Sequence, residues 1–168
     1  MSRKFKIVMM LSVILLQLTV LSHFEPLGII PNYVFVFILA IASICADTES
    51  VVLAGFSGLV MDMLTGASIG LNTLIMLYLA ILCVILCVSM YTRKLKLLVP
   101  MCFVLSFIYE LSLGVFSIML RGSIISAEAI WHVVLPVAVV NSVIFIPVYI
   151  LLKRVRFEKK VRGIKYER

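Results

Sequence analysis

The segment GFSGLVMDMLTGASIG, residues 55–70, places one carboxylate in the middle of an apolar chain. If the segment is helical, with about 100° per residue, then Gly55, Gly58, Asp62 and Gly66 fall within an arc of about 80°. Small residues let helix backbones approach closely inside a membrane, and polar side chains can then hydrogen-bond between the helices. The segment therefore predicts a helix-contact face on which Asp62 is the polar member.

The composition of the whole chain indicates the solvent in which it folds. Of the 168 residues, 64% are hydrophobic and 14% are charged, and the mean hydropathy is +1.23. A soluble domain has a much more polar composition. Since a helix needs roughly 20 apolar residues to cross a bilayer, the chain has room for about six spans and little else. We therefore expect an all-α, polytopic integral membrane protein with one transmembrane domain over residues 1–168.

Apolar runs that alternate with charged or turn-forming clusters predict a bundle of six transmembrane helices. Their ranges are about 6–22, 30–46, 50–66, 70–91, 97–120 and 129–152, followed by a short basic tail at 153–168. Residues 31–92 must hold three of these spans, so the second and third are short, and the third is expected to be tilted or partly re-entrant.

Basic residues cluster at alternate ends of the predicted spans. All but one of the 15 lysines and arginines precede the first span, separate the fourth from the fifth or follow the sixth, and Arg121 is the exception. The positive-inside rule then predicts that both termini are cytoplasmic. This rule also accounts for the net charge of +7, so we expect the basic tail to contact membrane lipids and do not expect nucleic-acid binding.

A second acid lies in the fifth predicted span. Ser106, Glu110, Gly114 and Ser117 share one helix face, so small or polar residues again surround the carboxylate. At about 1.5 Å per residue, Glu110 and Asp62 lie at similar predicted depths in the outer half of the membrane. The two faces are expected either to build a polar core in the bundle or to receive the helix of a partner.

The sixth predicted span contains an amide between two prolines. Asn141 lies near mid-depth, between Pro136 and Pro147. A proline removes a backbone donor from its helix, so both prolines predict kinks or loosened turns.

A charge at the bilayer centre costs about 2.5–3.5 kcal/mol on insertion scales, so other interactions must offset the cost of a charged carboxylate at the depth of Asp62. No span supplies a lysine or arginine at that depth. Three arrangements would offset the charge: the acids are protonated, they face a polar cavity, or a partner protein supplies hydrogen-bond donors. Alternatively, Asp62 caps or braces the end of a short helix. Gly66 and Gly70 also form a GxxxG pattern, which makes Gly70 a further helix-contact candidate.

The other polar residues have ordinary explanations. Cys83 and Cys87 lie one helical turn apart, but no histidine or second cysteine pair is near them in sequence, so no metal site is predicted. Asp47 and Glu49 lie in a short loop, where we expect them to be solvated or to cap the next helix. The sequence has no Ser/His/Asp grouping, CxxC pair or phosphate loop, and therefore no catalytic residue or cofactor is predicted.

Several motifs occur in a characteristic order along nearly the whole chain. They are a basic amino terminus, Pro31 at the start of the second span, GFSGLVMDMLTGASIGLNTL, the pair Tyr109 and Glu110, Leu135 and Pro136 followed by Asn141 and Pro147, and a basic end at Lys153 and Arg154. In these features the chain resembles the MreD family, a membrane component of the bacterial rod-shape machinery. The resemblance implies a non-enzymatic scaffold of the cytoplasmic membrane that binds an MreC-like bitopic protein. It further implies that MreB, RodA and a class B penicillin-binding protein are reached through the elongation complex during peptidoglycan synthesis.

MreD-like chains are also similar to the six-helix substrate-binding subunits of energy-coupling-factor vitamin transporters, and we expect a related fold. Two acids in an outward-facing cavity would suit a small polar ligand. Those subunits generally dock their energising partner through a small-xxx-small pattern in the first span, whereas KIVMMLSVILLQLTVLS, residues 6–22, has no alanine or glycine. An intramembrane aspartyl protease is a third interpretation, but it needs two aspartates, and the second acid here is Glu110.

Overall fold

The computed structural model describes residues 3–19, 29–65, 70–89, 94–121 and 130–166. Their regular structure is entirely helical, which confirms the predicted all-α fold with six helices. The helices are α1 (Arg3–Thr19), α2 (Tyr33–Cys45), α3 (Thr48–Thr65), α4 (Leu71–Ser89), α5 (Leu95–Arg121) and α6 (Leu135–Tyr166), and a π-helical turn, Ile130–Val134, leads into α6.

Three helices in this part of the chain are long and apolar enough to cross a membrane. The qualifying segments are Leu71–Ser89, Leu95–Phe116 and His132–Arg156. Helix α2 is apolar but has only 13 residues, or about 20 Å of helix. The crossing of the membrane by all six helices therefore stays a prediction.

Helix α2 forms the centre of the bundle. It contacts each of the other five helices, and every residue from Val34 to Ile44 is buried. A helix that is apolar on all sides is typical of one surrounded by other elements. Asn32 caps its start by accepting a 3.0 Å hydrogen bond from the Phe35 N–H. At its end, Ala46 is left-handed (φ 47°), so the chain turns directly into α3.

Contacts between helix ends show how α1, α2 and α6 are directed relative to one another. Lys6, in the first turns of α1, pairs with Asp47, just after α2. Arg156 of α6 donates a hydrogen bond to the Ile44 carbonyl oxygen, also at the end of α2. The first turns of α1 and the Arg156 region of α6 therefore lie at the same end of the bundle. We call this the charged end, defined by Lys6, Asp47, Glu49 and Arg156.

The two prolines of the sixth predicted span occupy different positions in α6. Pro136 is the second helical residue and directly follows the π-helical turn. Proline is tolerated there, because the first N–H groups of a helix have no intrahelical acceptor. Pro147 lies in the interior, where α6 continues as helix on both sides. The predicted kinks at these positions stay predictions.

A candidate helix-contact site and polar layer

The carboxylate of Asp62, near the end of α3, is fully buried and accepts five hydrogen bonds from the start of α4. The backbone N–H groups of Gly70, Asn72 and Thr73 each donate over 3.0 Å. The Asn72 amide donates over 3.0 Å and the Thr73 hydroxyl over 2.7 Å. A helix leaves its first N–H groups without intrahelical acceptors, and its dipole favours negative charge there. Asp62 therefore caps α4 from the neighbouring helix.

This geometry identifies the groups that offset the charge of Asp62. A carboxylate has about four lone-pair positions, and five donors from the same chain surround this one. No donor from another protein is needed to satisfy it. The sequence suggested that Asp62 caps or braces the end of a short helix, whereas in the structure it caps the start of the following helix.

The glycines beside Asp62 allow α3 and α4 to approach closely. A Cβ atom on Gly58 would lie 2.6 Å from Thr73 Cα, and one on Gly55 would lie 3.0 Å from Leu77 Cδ1. Gly70 has a φ of +100°, a left-handed conformation that suits glycine, and its N–H reaches Asp62. Helix α4 of the same chain therefore covers the face of Gly55, Gly58 and Asp62. Gly66 lies outside the described residues.

Tyr109 of α5 extends the contacts of Asp62 across the bundle. Its hydroxyl donates to Asn72 Oδ1 over 2.7 Å and accepts from Asn32 Nδ2 over 3.0 Å. Its buried ring stacks on Phe35 at a centroid distance of 4.5 Å. Tyr109 therefore connects the cap of α4, made by Asp62, with Asn32, the cap of α2.

Two further side chains bring the remaining helices into the same network. The Asn32 N–H donates to Asn141 Oδ1 of α6 over 3.1 Å, and the Val34 N–H donates to Gln17 Oε1 of α1 over 2.8 Å. Side chains from α1, α5 and α6 thus bond to the start of α2, and Tyr109 links them to the side chains of α3 and α4. We call this set the polar layer, and it comprises Gln17, Asn32, Asp62, Asn72, Thr73, Tyr109 and Asn141.

One donor in the polar layer is unsatisfied. Asn141 is fully buried, and its Nδ2 has no hydrogen-bond partner within the described part of the chain. An unsatisfied buried amide is unfavourable, which makes Asn141 a place where the layer is incomplete.

Glu110 and Gly114 lie beside the polar layer. Glu110 is partly buried and forms no hydrogen bond or ion pair with the described residues, although it directly follows Tyr109. Gly114, one turn further along α5, is also partly buried. The structure therefore joins α5 to Asp62 through Tyr109, and Glu110 takes no part in the hydrogen bonds around Asp62.

The charged end contains a second polar cluster. Lys6 is 1% exposed, and its Nζ lies 2.5 Å from Asp47 Oδ2 and 3.0 Å from Glu49 Oε2. Asp47 also caps α3, because its Oδ1 accepts a 3.0 Å hydrogen bond from the Ser50 N–H. Partial burial acts to raise the pKa of Asp47, but hydrogen bonds from Lys6 and Ser50 and the charge of Lys6 hold it below its ordinary value. The expected cap is present, together with an ion pair that the sequence does not predict.

Sequence reasoning did not identify several members of the polar layer. Asn72 and Thr73 open α4 directly after Gly70, and the order glycine, leucine, asparagine, threonine is a signal for a helix start. Asn32 after Pro31 is a similar signal for α2. Gln17 has no local signal, because its acceptor role depends on the position of α2.

In the described residues, no group of three or more His, Cys, Asp or Glu side chains is arranged to hold a metal ion.

The comparison with protein families provides an independent observation. A family model described as MreD, rod shape-determining protein MreD, matches residues 1–155. The chain belongs to the MreD family. This match includes the whole polar layer and three residues of the charged end, namely Lys6, Asp47 and Glu49. Comparisons with curated proteins and with solved structures found no match, and the likeness to transporter subunits stays a prediction.

Membership of this family confirms the resemblance on which the sequence analysis relied. MreD proteins are membrane proteins that determine rod shape, and the three long apolar helices agree with a membrane location. The chain is accordingly a membrane protein of the rod-shape system.

Proposed function

We propose that the protein is a non-enzymatic scaffold of the rod complex in the bacterial cytoplasmic membrane. It binds an MreC-like bitopic protein and, through the elongation complex, helps to couple MreB to RodA and a class B penicillin-binding protein. In this role it maintains cell shape by organising peptidoglycan synthesis. The observation that carries the proposal is the MreD family match over residues 1–155.

The burial and the hydrogen bonds of the Asp62 carboxylate support a structural role. A general base must reach the proton that it removes, whereas Asp62 is fully buried and surrounded by five donors from its own chain. Asp47 and Glu49 are similarly engaged with Lys6. These acids stabilise helix ends and helix contacts, which a scaffold requires.

The outward faces of the bundle provide the surface for partners. Along α4, one exposed stripe contains Leu74, Tyr78, Leu82, Ile85 and Val88. In a bilayer such a stripe contacts lipid or another transmembrane helix. Because α4 already covers the glycine face of α3, we propose that a bitopic partner binds to an outward face of this kind.

The proposal includes an orientation. The described basic residues of α1 and α6 lie toward the charged end, and positive residues favour the cytoplasmic side. A green fluorescent protein fused after Arg168 should therefore fluoresce, whereas alkaline phosphatase at the same place should be inactive. Active phosphatase and a dark fluorescent fusion would reverse the orientation.

Affinity purification from native membranes tests the scaffold role. We expect a tagged protein, extracted in mild detergent, to retain an MreC-like bitopic protein in a near-equal amount, together with a wall synthase. Photo-crosslinkers placed at Leu74, Tyr78 and Ile85 of α4, and at Val104 and Val143 of α5 and α6, would then locate the contact face. Recovery of a transporter coupling subunit with ATPases, in place of these partners, would reject the proposal.

A further inference from the structure

A cavity of about 360 Å³ opens between the first turns of α1 and α3 at the charged end. Arg3 and Ile7 line it from α1, and Thr48, Glu49, Val52 and Phe56 line it from α3. None of these residues belongs to the polar layer. The cavity is therefore a separate feature of the molecule, at the end that the proposed orientation places on the cytoplasmic side.

The lining changes from charged to apolar along both helices. Arg3 precedes Ile7 by four residues, and Thr48 precedes Val52, which precedes Phe56, at the same spacing. Each step is about one turn, or roughly 5.4 Å along the axis. Val52 is 63% and Phe56 49% exposed, so the apolar part opens toward lipid. Arg3, Thr48 and Glu49 thus form a polar mouth at one end of the cavity, and Ile7, Val52 and Phe56 form its apolar part. The polar headgroup and the apolar acyl chains of a phospholipid follow the same order.

The residues that line the cavity include one cation, Arg3, and one carboxylate, Glu49. Lys6 binds Asp47 Oδ2 and Glu49 Oε2, which leaves Glu49 Oε1 without a hydrogen bond and Arg3 without an acidic partner among the described residues. The side chain of Glu49 is also 45% exposed. The mouth thus presents one free cationic group on α1 and one free carboxylate oxygen on α3.

This pair of groups selects among phospholipid headgroups. A phosphate near Arg3 would form a charge-assisted hydrogen bond, and a primary ammonium would do the same with Glu49 Oε1. An anionic lipid such as phosphatidylglycerol has a net negative charge, and its headgroup hydroxyls can donate to Glu49 without the positive charge of an ammonium. A choline headgroup has no N–H to donate, so it lacks the second contact.

The size of the cavity favours a lipid over a protein helix. Small-molecule sites typically have volumes of about 300–1,000 Å³, and this cavity lies at the lower end of that range. A helix with its side chains is about 10–12 Å wide and could lie only across the opening. We propose that the cavity binds a zwitterionic phospholipid with a primary ammonium, such as phosphatidylethanolamine, with its phosphate at Arg3 and its ammonium at Glu49.

Native mass spectrometry of the full chain tests the site. The protein is equilibrated with equal amounts of phosphatidylethanolamine, phosphatidylcholine and phosphatidylglycerol that carry identical acyl chains. We expect one tightly retained lipid, with ethanolamine preferred over choline by about fivefold to tenfold, because the Glu49 side chain is 45% exposed and its hydrogen bond is weaker than a buried charge-assisted one. Equal retention of the three lipids would mean unselective contact with the protein surface and would overturn the proposal.

A matched pair of substitutions localises the lipid. Val52→Trp fills the cavity without changing its charges, whereas Val88→Trp makes the same change on the outward face of α4. The two valines are 63% and 66% exposed. We expect Val52→Trp to abolish the retained lipid and Val88→Trp to keep it. Equal lipid retention by the two variants would place the lipid elsewhere and overturn the assignment.

Crosslinking in cells separates a lipid from a partner helix. With p-benzoylphenylalanine at position 52, we expect the chain to gain the mass of a phospholipid. A protein adduct at this position would show that a partner covers the cavity and would overturn the lipid proposal. Neither result decides the scaffold role, which rests on the proteins that are recovered with the chain.

Discussion

Gly58 of α3 lies directly against the backbone of Thr73 in α4. A Cβ atom on Gly58 would lie 2.6 Å from Thr73 Cα, 2.7 Å from the Asn72 carbonyl oxygen and 2.8 Å from Thr73 N. These are backbone atoms, which cannot turn aside as the end of a side chain can. Asp62 follows Gly58 by one turn and reaches the N–H groups of α4 only at this helix separation. The glycine thus permits the approach that the aspartate then stabilises.

Gly58→Ala should therefore destabilise the bundle much more than Gly55→Ala. At Gly55 the nearest atom to an added Cβ is Leu77 Cδ1, at 3.0 Å, and this flexible side-chain end can move. We expect Gly58→Ala to lower the free energy of unfolding by about 1–3 kcal/mol and Gly55→Ala by less than about 1 kcal/mol. Both substitutions gain the same helix propensity, so thermal unfolding in one detergent isolates the contact. Equal midpoints would show that α3 and α4 do not pack so closely.

Removing the carboxylate of Asp62 should destabilise the start of α4. We expect Asp62→Ala to lower the free energy of unfolding by about 2–4 kcal/mol, because it removes a helix cap and leaves buried donors unsatisfied. Asp62→Asn should lie between Ala and wild type, since its oxygen can still accept from part of the donor set. Ser12→Ala, in which an exposed hydroxyl bonded to its own helix is lost, is the control. Wild-type stability of Asp62→Ala would contradict the capping role.

The hydroxyl of Tyr109 should contribute to stability separately from its ring. Tyr109→Phe keeps the stack on Phe35 but removes both hydrogen bonds, to Asn72 and from Asn32. We expect a loss of about 1–3 kcal/mol, because two buried polar groups lose a partner. The double variant with Asn72→Ala should lose less than the sum of the single variants, since the two side chains share one bond. Strict additivity would mean that the bond does not form.

The sequence predicts the six-helix fold and the special position of Asp62 for physical reasons. A bilayer requires long apolar segments, which are visible as continuous runs, and a carboxylate among glycines within such a run is equally visible. The donors to Asp62 were harder to predict. They belong to the next helix, and capping from one helix to another has no fixed spacing in sequence. Asn72 and Thr73 therefore resembled ordinary polar residues at the start of a span.

The pairing at the charged end was missed for a related reason. Lys6 and Asp47 are 41 positions apart, so no periodicity within a helix connects them. In the sequence, Lys6 fits the positive-inside pattern, and the ion pair is evident only once α1 and α2 lie side by side. The same limit applies to Glu110, whose proximity in sequence to Tyr109 does not bring it into the hydrogen bonds of the polar layer.

The charge of Asp47 should make stability depend on acidity. Its pKa is held below the ordinary value, so its contribution is complete above the unfolded-state pKa of about 3.9 and is lost as the pH falls through the lower folded-state pKa. We expect the thermal midpoint of the wild type to decline below about pH 4. Asp47→Asn is the informative variant, because asparagine also caps helices and the change mainly removes the charge that faces Lys6.

At pH 7, Asp47→Asn should lose about 1 kcal/mol, a modest value because Asp47 is 38% exposed and Glu49 still contacts Lys6. Other acids titrate in the same range, so the quantity to compare is the difference between the two unfolding curves. This difference should be constant at neutral pH and shrink below about pH 4, where the wild-type carboxylate is protonated. A difference that stays constant down to the acid limit would show that the pairing of Asp47 with Lys6 does not stabilise the fold.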